Sequence, residues 1–190
     1  IYTLIDAVSR FTSEIILIIA LSMLLSSFSN NVALNLIFVF VVLHTINWIF
    51  IGGGVAVLFK TLGLKHTTST IFNYTVALGK RIQSKRYILL AAIYGSAARR
   101  SIKETSDLDI LVVRKRGFFN SVRTCFFVSC ERIRATLDFF PLDIYILDNV
   151  KYLKFVIKET RPITIHDPEN MLKNVFDKQQ SFEDFTRGHL

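Results

Sequence analysis

Hydrophobic and polar positions divide this chain into two parts with different rhythms. From residue 15 to residue 59 there is no Asp, Glu, Lys or Arg. In that stretch IILIIALSMLL (15–25) runs into the polar hexamer SSFSNN (26–31), and VALNLIFVFVVLHTINWIFIGGGVAVLF (32–59) follows. A helix that spans a bilayer needs about 20 apolar residues. The second run is long enough even if it stops before Gly52; the first reaches 18 if residues 11–13 and 26–28 extend it. The pattern predicts a two-helix transmembrane hairpin over residues 1–60, with the hexamer as its far turn and both ends on one side. A cleaved signal peptide does not fit: the uncharged run far exceeds an apolar signal core, and no basic segment precedes it. Burial in a globular core is the plainer alternative. Asn35, His44 and Asn47 interrupt the second run, and polar groups at membrane depth face protein or water. His44 and Asn47 share a helix face. Two readings stand for them, a hydrogen bond across the hairpin or contact with a lipid-linked substrate. Gly52, Gly53 and Gly54 would let the helix bend.

Residues 61–190 follow a shorter rhythm. Thr67, Thr68, Ser69 and Thr70 offer caps for a helix over 69–84. YILLAAIYG (87–95) is a continuous apolar run of strand length, and DLDILVV (107–113) alternates as the next strand. In the latter, Leu108, Ile110 and Val112 share one face, and Asp107, Asp109 and Leu111 the other. Residues 118–138 read as an apolar-rich helix. PLDIYIL (141–147) is a third strand, with Pro141 at its first position. A short helix over 149–158, a short edge strand over 161–165 and a helix over 168–178 complete the pattern. Strands alternating with helices predict an α/β (α+β) domain with a small mixed sheet over 61–190.

Charge sharpens the division. Residues 1–59 hold Arg10, Asp6 and Glu14, whereas residues 60–190 carry 22 basic and 13 acidic side chains. Residues 60–103 contain nine basic residues (Lys60, Lys65, Lys80, Arg81, Lys85, Arg86, Arg99, Arg100 and Lys103) and no acidic one. The positive-inside rule then predicts an integral membrane protein with its C-terminal domain in the cytoplasm. The basic collar, Lys80, Arg81, Lys85 and Arg86 above all, suits an anionic membrane surface. Cys125 and Cys130 are too few for a disulfide framework or a cysteine metal site and read as core thiols in a reducing compartment.

Three acids carry the candidate chemistry. Asp107 and Asp109 leave the same strand face, and two carboxylates so close repel unless a hard cation such as Mg²⁺ sits between them. If the third strand lies beside this one, Asp143 joins them. Asp107 and Asp109 would then bridge two Mg²⁺ ions, Asp143 would hold one and help deprotonate an attacking hydroxyl, and the set would serve in-line displacement at phosphorus. Gly95 and Ser96 follow a buried strand and open a helical turn. Glycine lets backbone approach a phosphate, helix-start amides bind anions, and Ser96 adds a hydroxyl. Arg99 and Arg100 either contact phosphates or face the membrane.

Residues 94–113, YGSAARRSIKETSDLDILVV, resemble the signature of the DNA polymerase beta-like nucleotidyltransferase superfamily, in particular its minimal nucleotidyltransferases. That pattern is Gly-Ser, then Ala-Arg-Gly, then Ser-Asp-hydrophobic-Asp. Gly95 and Ser96 match its phosphate loop, Ser106, Asp107 and Asp109 its first metal pair with the preceding serine, and Asp143 in FPLDIYIL its third carboxylate. The match covers roughly 85–147 and departs at Arg100, where the family has glycine. The resemblance implies a nucleotidyltransferase fold and an enzyme that moves a nucleoside monophosphate from a nucleoside triphosphate such as ATP to a hydroxyl, releasing pyrophosphate. With the hairpin, it implies a lipid, a lipid-linked sugar or a membrane protein as acceptor. Two alternatives remain. One is a non-catalytic, antitoxin-like module that binds a partner through exposed apolar residues such as Phe118–Phe119 and Phe126–Phe127. The other is a nucleic-acid nucleotidyltransferase, which the net charge of +8 invites. Against it, the cations crowd beside the hairpin and no nucleic-acid-binding appendage is visible.

Overall fold

A computed structural model of the chain describes residues 4–27, 31–51, 61–63, 65–157 and 161–187. The glycines at 52–54 and Lys60 lie outside the described residues, as do the side chains of Asn47 and Trp48. The first part is a helical hairpin, α1 (Leu4–Leu25) packed on α2 (Val32–Ile51). Across it, His44 Nδ1 meets Glu14 Oε1 at 3.0 Å, and Ser22 and Asn35 are also buried between the helices.

The membrane reading is corrected here. Among the described residues no helix is long and apolar enough to cross a membrane. Asp6, Arg10 and Glu14 fall inside α1 and leave its uncharged part, 15–25, at about half the length a bilayer requires. In α2 the described side chains end at Ile46, and Asn35 and His44 break their apolar run. The transmembrane hairpin, the integral-membrane location and the cytoplasmic orientation drawn from the collar fall together.

The second part is built on a five-stranded sheet in the order β3-β2-β1-β4-β5. Its strands are β1 (Ile88–Tyr94), β2 (Leu108–Arg114), β3 (Leu142–Leu147), β4 (Ile163–His166) and β5 (Gln180–Ser181). β2 and β4 run antiparallel to β1, while β3 is parallel to β2 and β5 to β4. Helices α3 (Thr68–Gln83) and α5 (Phe118–Leu137) cover one face, on Ala91, Ile93, Leu108, Ile110, Val112, Ile144 and Ile146. The alternation of β2 thus points Leu108, Ile110 and Val112 into the core, as their spacing predicts. Thr67 caps α3 by accepting from the Thr70 amide. The other face carries Leu90, Leu111, Val113 and Leu147 under a thinner cover: α6 (Leu153–Val156), the 3₁₀ turn Val150–Tyr152 before it, and Leu172.

Four expectations about this part change. No helix forms over 168–178. Asp167 accepts from the Met171 and Leu172 amides like a cap, but Asn170 turns to φ 53° and the segment continues as turns. β4 is not the edge strand, because the two-residue β5 pairs outside it and leads into α7 (Phe182–Arg187). Cys125 is buried but Cys130 is exposed. The basic collar is partly structural: Arg81 forks the buried Glu131 through Nε (2.9 Å) and Nη2 (2.8 Å), and Lys85 lies over the Phe127 ring at 5.5 Å.

Candidate functional site

β1 ends where β2 and β3 begin, so one corner of the sheet collects the residues the sequence singles out. Asp109 pairs with Tyr94 across the antiparallel ladder and with Asp143 across the parallel one. Paired residues share a face, so Tyr94, Asp109, Asp143 and, two residues on, Tyr145 gather on the thinly covered side. The rings of Tyr94 and Tyr145 lie 6.4 Å apart beside the acids.

Gly95 follows directly and opens the four-residue turn α4 (Gly95–Ala98). Its φ is +70°, a region that side chains rarely enter. A Cβ built on it would also collide with the Asp109 carboxylate. Glycine is therefore required twice, by conformation and by how closely the acid lies against the backbone. Ser96 Oγ is shut away from solvent without a hydrogen-bond partner, an uncommon state for a hydroxyl. Arg99 caps the turn through its amide to Gly95 O and is exposed. Arg100 has φ 54°. Position 100 thus keeps a left-handed backbone, of the kind glycine favours, while carrying an arginine.

The loop from α4 to β2 is held by Ser106, whose Oγ accepts from the Lys103 amide at 2.8 Å and whose own amide donates to Lys103 O. Asp107 comes next, exposed, one residue before β2 begins. Strand alternation therefore does not hold its side chain on the face of Asp109. Its charge still reaches Asp143. Burial raises the Asp143 carboxyl above the ordinary range, a hydrogen bond from Tyr145 and the Arg132 cation pull it down, and Asp107 raises it further; the net direction is up.

The three acids thus lie at one corner: Asp109 and Asp143 in register on neighbouring strands, and Asp107 exposed one residue before β2 with its charge acting on Asp143. Among the described residues no group of three or more His, Cys, Asp or Glu side chains is gathered so that it could hold a metal ion. The pair does offer hard oxygen donors, the type a divalent cation such as Mg²⁺ takes.

Two contributors escape the sequence reading. Tyr145 was legible, since it lies two residues beyond Asp143 on the same strand. Arg132 was legible as a cation on the helix face that carries Ser121, Cys125 and Val128; its Nη2 donates to Ile144 O at 2.5 Å, next to Asp143. A cleft of about 390 Å³ lies elsewhere, lined by Gln83, Thr164, Asp167, Lys173 and Gln179 among others, and shares no lining residue with the corner. No protein-family model matches this chain, and no curated protein matches it.

Proposed function

We propose that this corner is a nucleotidyl-transfer site that binds a nucleoside triphosphate against the Gly95–Ser96 turn and passes its nucleoside monophosphate to an acceptor hydroxyl. The observation that carries the reading is Gly95. It has a left-handed backbone and no room for a Cβ against Asp109, so bare backbone and carboxylate meet where a phosphate and its counter-ion would sit. The orphaned Ser96 hydroxyl, aimed at no protein group, suits a phosphate oxygen as its missing partner.

Asp109 and Asp143 would hold Mg²⁺, with Asp107 at the mouth. Bound there, the ion supplies charge for the phosphates and relieves the repulsion between the facing acids. The chain's own part is to orient. The Gly95–Ser96 turn fixes the phosphates, Arg99 at the end of that turn supplies a cation, and Tyr94 and Tyr145 wall the acids. The acceptor oxygen forms a bond to the α-phosphorus, the α–β bridge bond breaks, and pyrophosphate leaves with the electron pair. The hydroxyl proton goes to Asp143, whose raised proton affinity suits that role.

Equilibrium binding of ATP, GTP, CTP and UTP, each with and without Mg²⁺, tests the reading. At least one should bind more tightly with Mg²⁺, and Asp109→Asn should weaken that binding about 100-fold, because it removes charge while keeping shape. Equal binding by wild type and the Asn variant would sink the assignment. Pyrophosphate release from the bound triphosphate then separates catalysis from binding.

A second reading, a partner-binding module without catalysis, has one observation in its favour. Phe118, Phe119 and Phe126 are exposed on α5, although Phe127 turns into the core. Mg²⁺-dependent triphosphate binding without pyrophosphate release under any acceptor tried would favour it.

A further inference from the structure

Helix α5 has two unlike faces. Ser121, Thr124, Cys125, Val128, Glu131 and Ala135 are buried against the sheet and α3. On the opposite side Phe119, Val122, Phe126, Cys130, Ile133 and Leu137 form one narrow stripe, three or four residues apart at each step. Phe119 is 76% exposed, Phe126 72% and Leu137 73%, although the α1–α2 hairpin also touches α5. The stripe spans about 27 Å of helix.

We propose that this stripe is the contact surface for a second copy of the chain, with α5 packed antiparallel on its twin across a two-fold axis level with Val128. Two observations select a second copy over another occupant. The first is internal symmetry. Phe119 and Leu137 lie nine residues either side of Val128, Phe126 and Cys130 lie two residues either side, and Val122 and Ile133 depart from the same symmetry by one residue. An antiparallel pair therefore sets Phe119 on the twin's Leu137 and Phe126 on the twin's Cys130. A self-complementary patch of this kind is what an isologous two-fold interface needs. The second is area. With Phe118 alongside, the stripe offers roughly 600–800 Å² of apolar surface per chain, close to the roughly 800 Å² per partner of a standard interface. An apolar patch of that size is larger than single scattered surface residues account for. The proposal is independent of the nucleotidyl-transfer reading.

Sedimentation equilibrium of the full chain, combined with the rate of thiol alkylation at Cys130, tests it. Wild type should be a dimer at micromolar concentration. Phe126→Arg should raise the dimer dissociation constant about 30-fold or more, as loss of a central aromatic anchor does. Its melting temperature extrapolated to low protein concentration should stay at the wild-type value, since the ring is exposed within one chain. Cys130 should alkylate faster in this variant than in wild type. Phe119→Arg should act in the same direction, and Phe155→Arg, which changes an exposed ring on α6, should leave the dimer intact. A monomeric wild type would overturn the proposal. So would an oligomer that survives both stripe substitutions, which would place association on the hairpin, or equal Cys130 reactivity in all variants.

Discussion

The two ends of the β2–β3 ladder carry opposite electrostatic arrangements. At the start, Asp109 is in register with Asp143, a buried carboxyl that Asp107 pushes up and Tyr145 and Arg132 pull down. At the finish, Arg114 Nε donates to Asp148 at 2.6 Å, and the guanidinium, 9% exposed, also reaches Lys115 O. The residues between are apolar and fully buried at Ile110, Leu111 and Val113. Like charges set directly across a ladder destabilise it, and a hydrogen-bonded opposite pair does not. The finish is what a fold selected for stability alone would build. The start keeps a buried carboxyl, Asp143, whose proton affinity is raised chiefly by burial, and groups so perturbed cluster where something binds. The lesson is to ask of each charge whether the protein itself compensates it. Glu131, buried to 2% and met by both Arg81 and Arg134, answers in the same way as Arg114.

The largest effect is expected at the finish. Arg114→Ala leaves Asp148 without its guanidinium and opens a gap beside β2. We expect a loss of about 2–3 kcal/mol in urea unfolding, below the value for a fully buried pair because Asp148 is about a third exposed. A loss under about 0.5 kcal/mol would show that the ion pair holds nothing in place.

At the start, Gly95→Ala should cost about 2 kcal/mol, from a forced left-handed backbone and from displacement of the Asp109 carboxylate. Combining it with Asp109→Ala should recover the steric share and leave the conformational one, so the two changes should be non-additive. Strict additivity would mean that Gly95 and Asp109 do not press on each other.

Asp143→Asn sharpens the contrast because it should act in the opposite direction. Burial holds the Asp143 carboxyl protonated to a higher pH in the folded chain than in the unfolded one. Its contribution to stability is therefore present in acid and is lost as the pH rises through the folded-state value. At pH 7 the amide removes that penalty, and thermal melts should rise by about 1–3 °C. The difference should shrink as the pH falls through the carboxylate range, while triphosphate binding is lost. A variant less stable than wild type at pH 7 would count against burial as the cause of the raised carboxyl.

The smallest effect is expected at Arg100→Gly. Glycine removes about 1 kcal/mol of left-handed backbone cost and loses a similar amount of chain entropy on folding, so the stability should stay within about 0.5 kcal/mol. Chemical denaturation is precise enough to check this. A loss well beyond that range would show that the Arg100 side chain, and not its backbone, holds the loop.

Much of the sheet domain was legible because its signals are local. Apolar runs bounded by Gly95 and Arg114 gave β1 and β2 to within a residue, and the buried spacing of α5 gave its whole length. The signals failed where a local cue met a distant constraint. Asp167–Pro168 reads as a helix start, and Asp167 does cap two amides, yet Asn170 takes a left-handed turn and Leu172 is drawn under the sheet instead. β5 is two residues long, too short for any period, and exists through its pairing with β4. In the hairpin, absence of charge reads as membrane. Charge-free composition does not by itself measure the helix length available for a span.

For the candidate site, the groups present and their spacing along each strand are readable from local residues alone: a glycine and a serine after one strand, and acids at the start of the next two. Spacing along a strand is covalent, and alternation follows from backbone geometry. How the acids stand relative to one another follows from the pairing of the strands. Asp107 and Asp109 are the nearer pair in sequence, but Asp107 stands just outside β2 and turns to solvent. Its charge nevertheless acts on Asp143, and parallel pairing of β2 with β3 sets Asp109 in register beside the same acid. The fold also presses Gly95 on Asp109, brings Arg132 to the corner from α5, and leaves the α5 stripe uncovered within one chain. Each of these depends on contacts between residues far apart in the chain, which no local pattern of residues specifies.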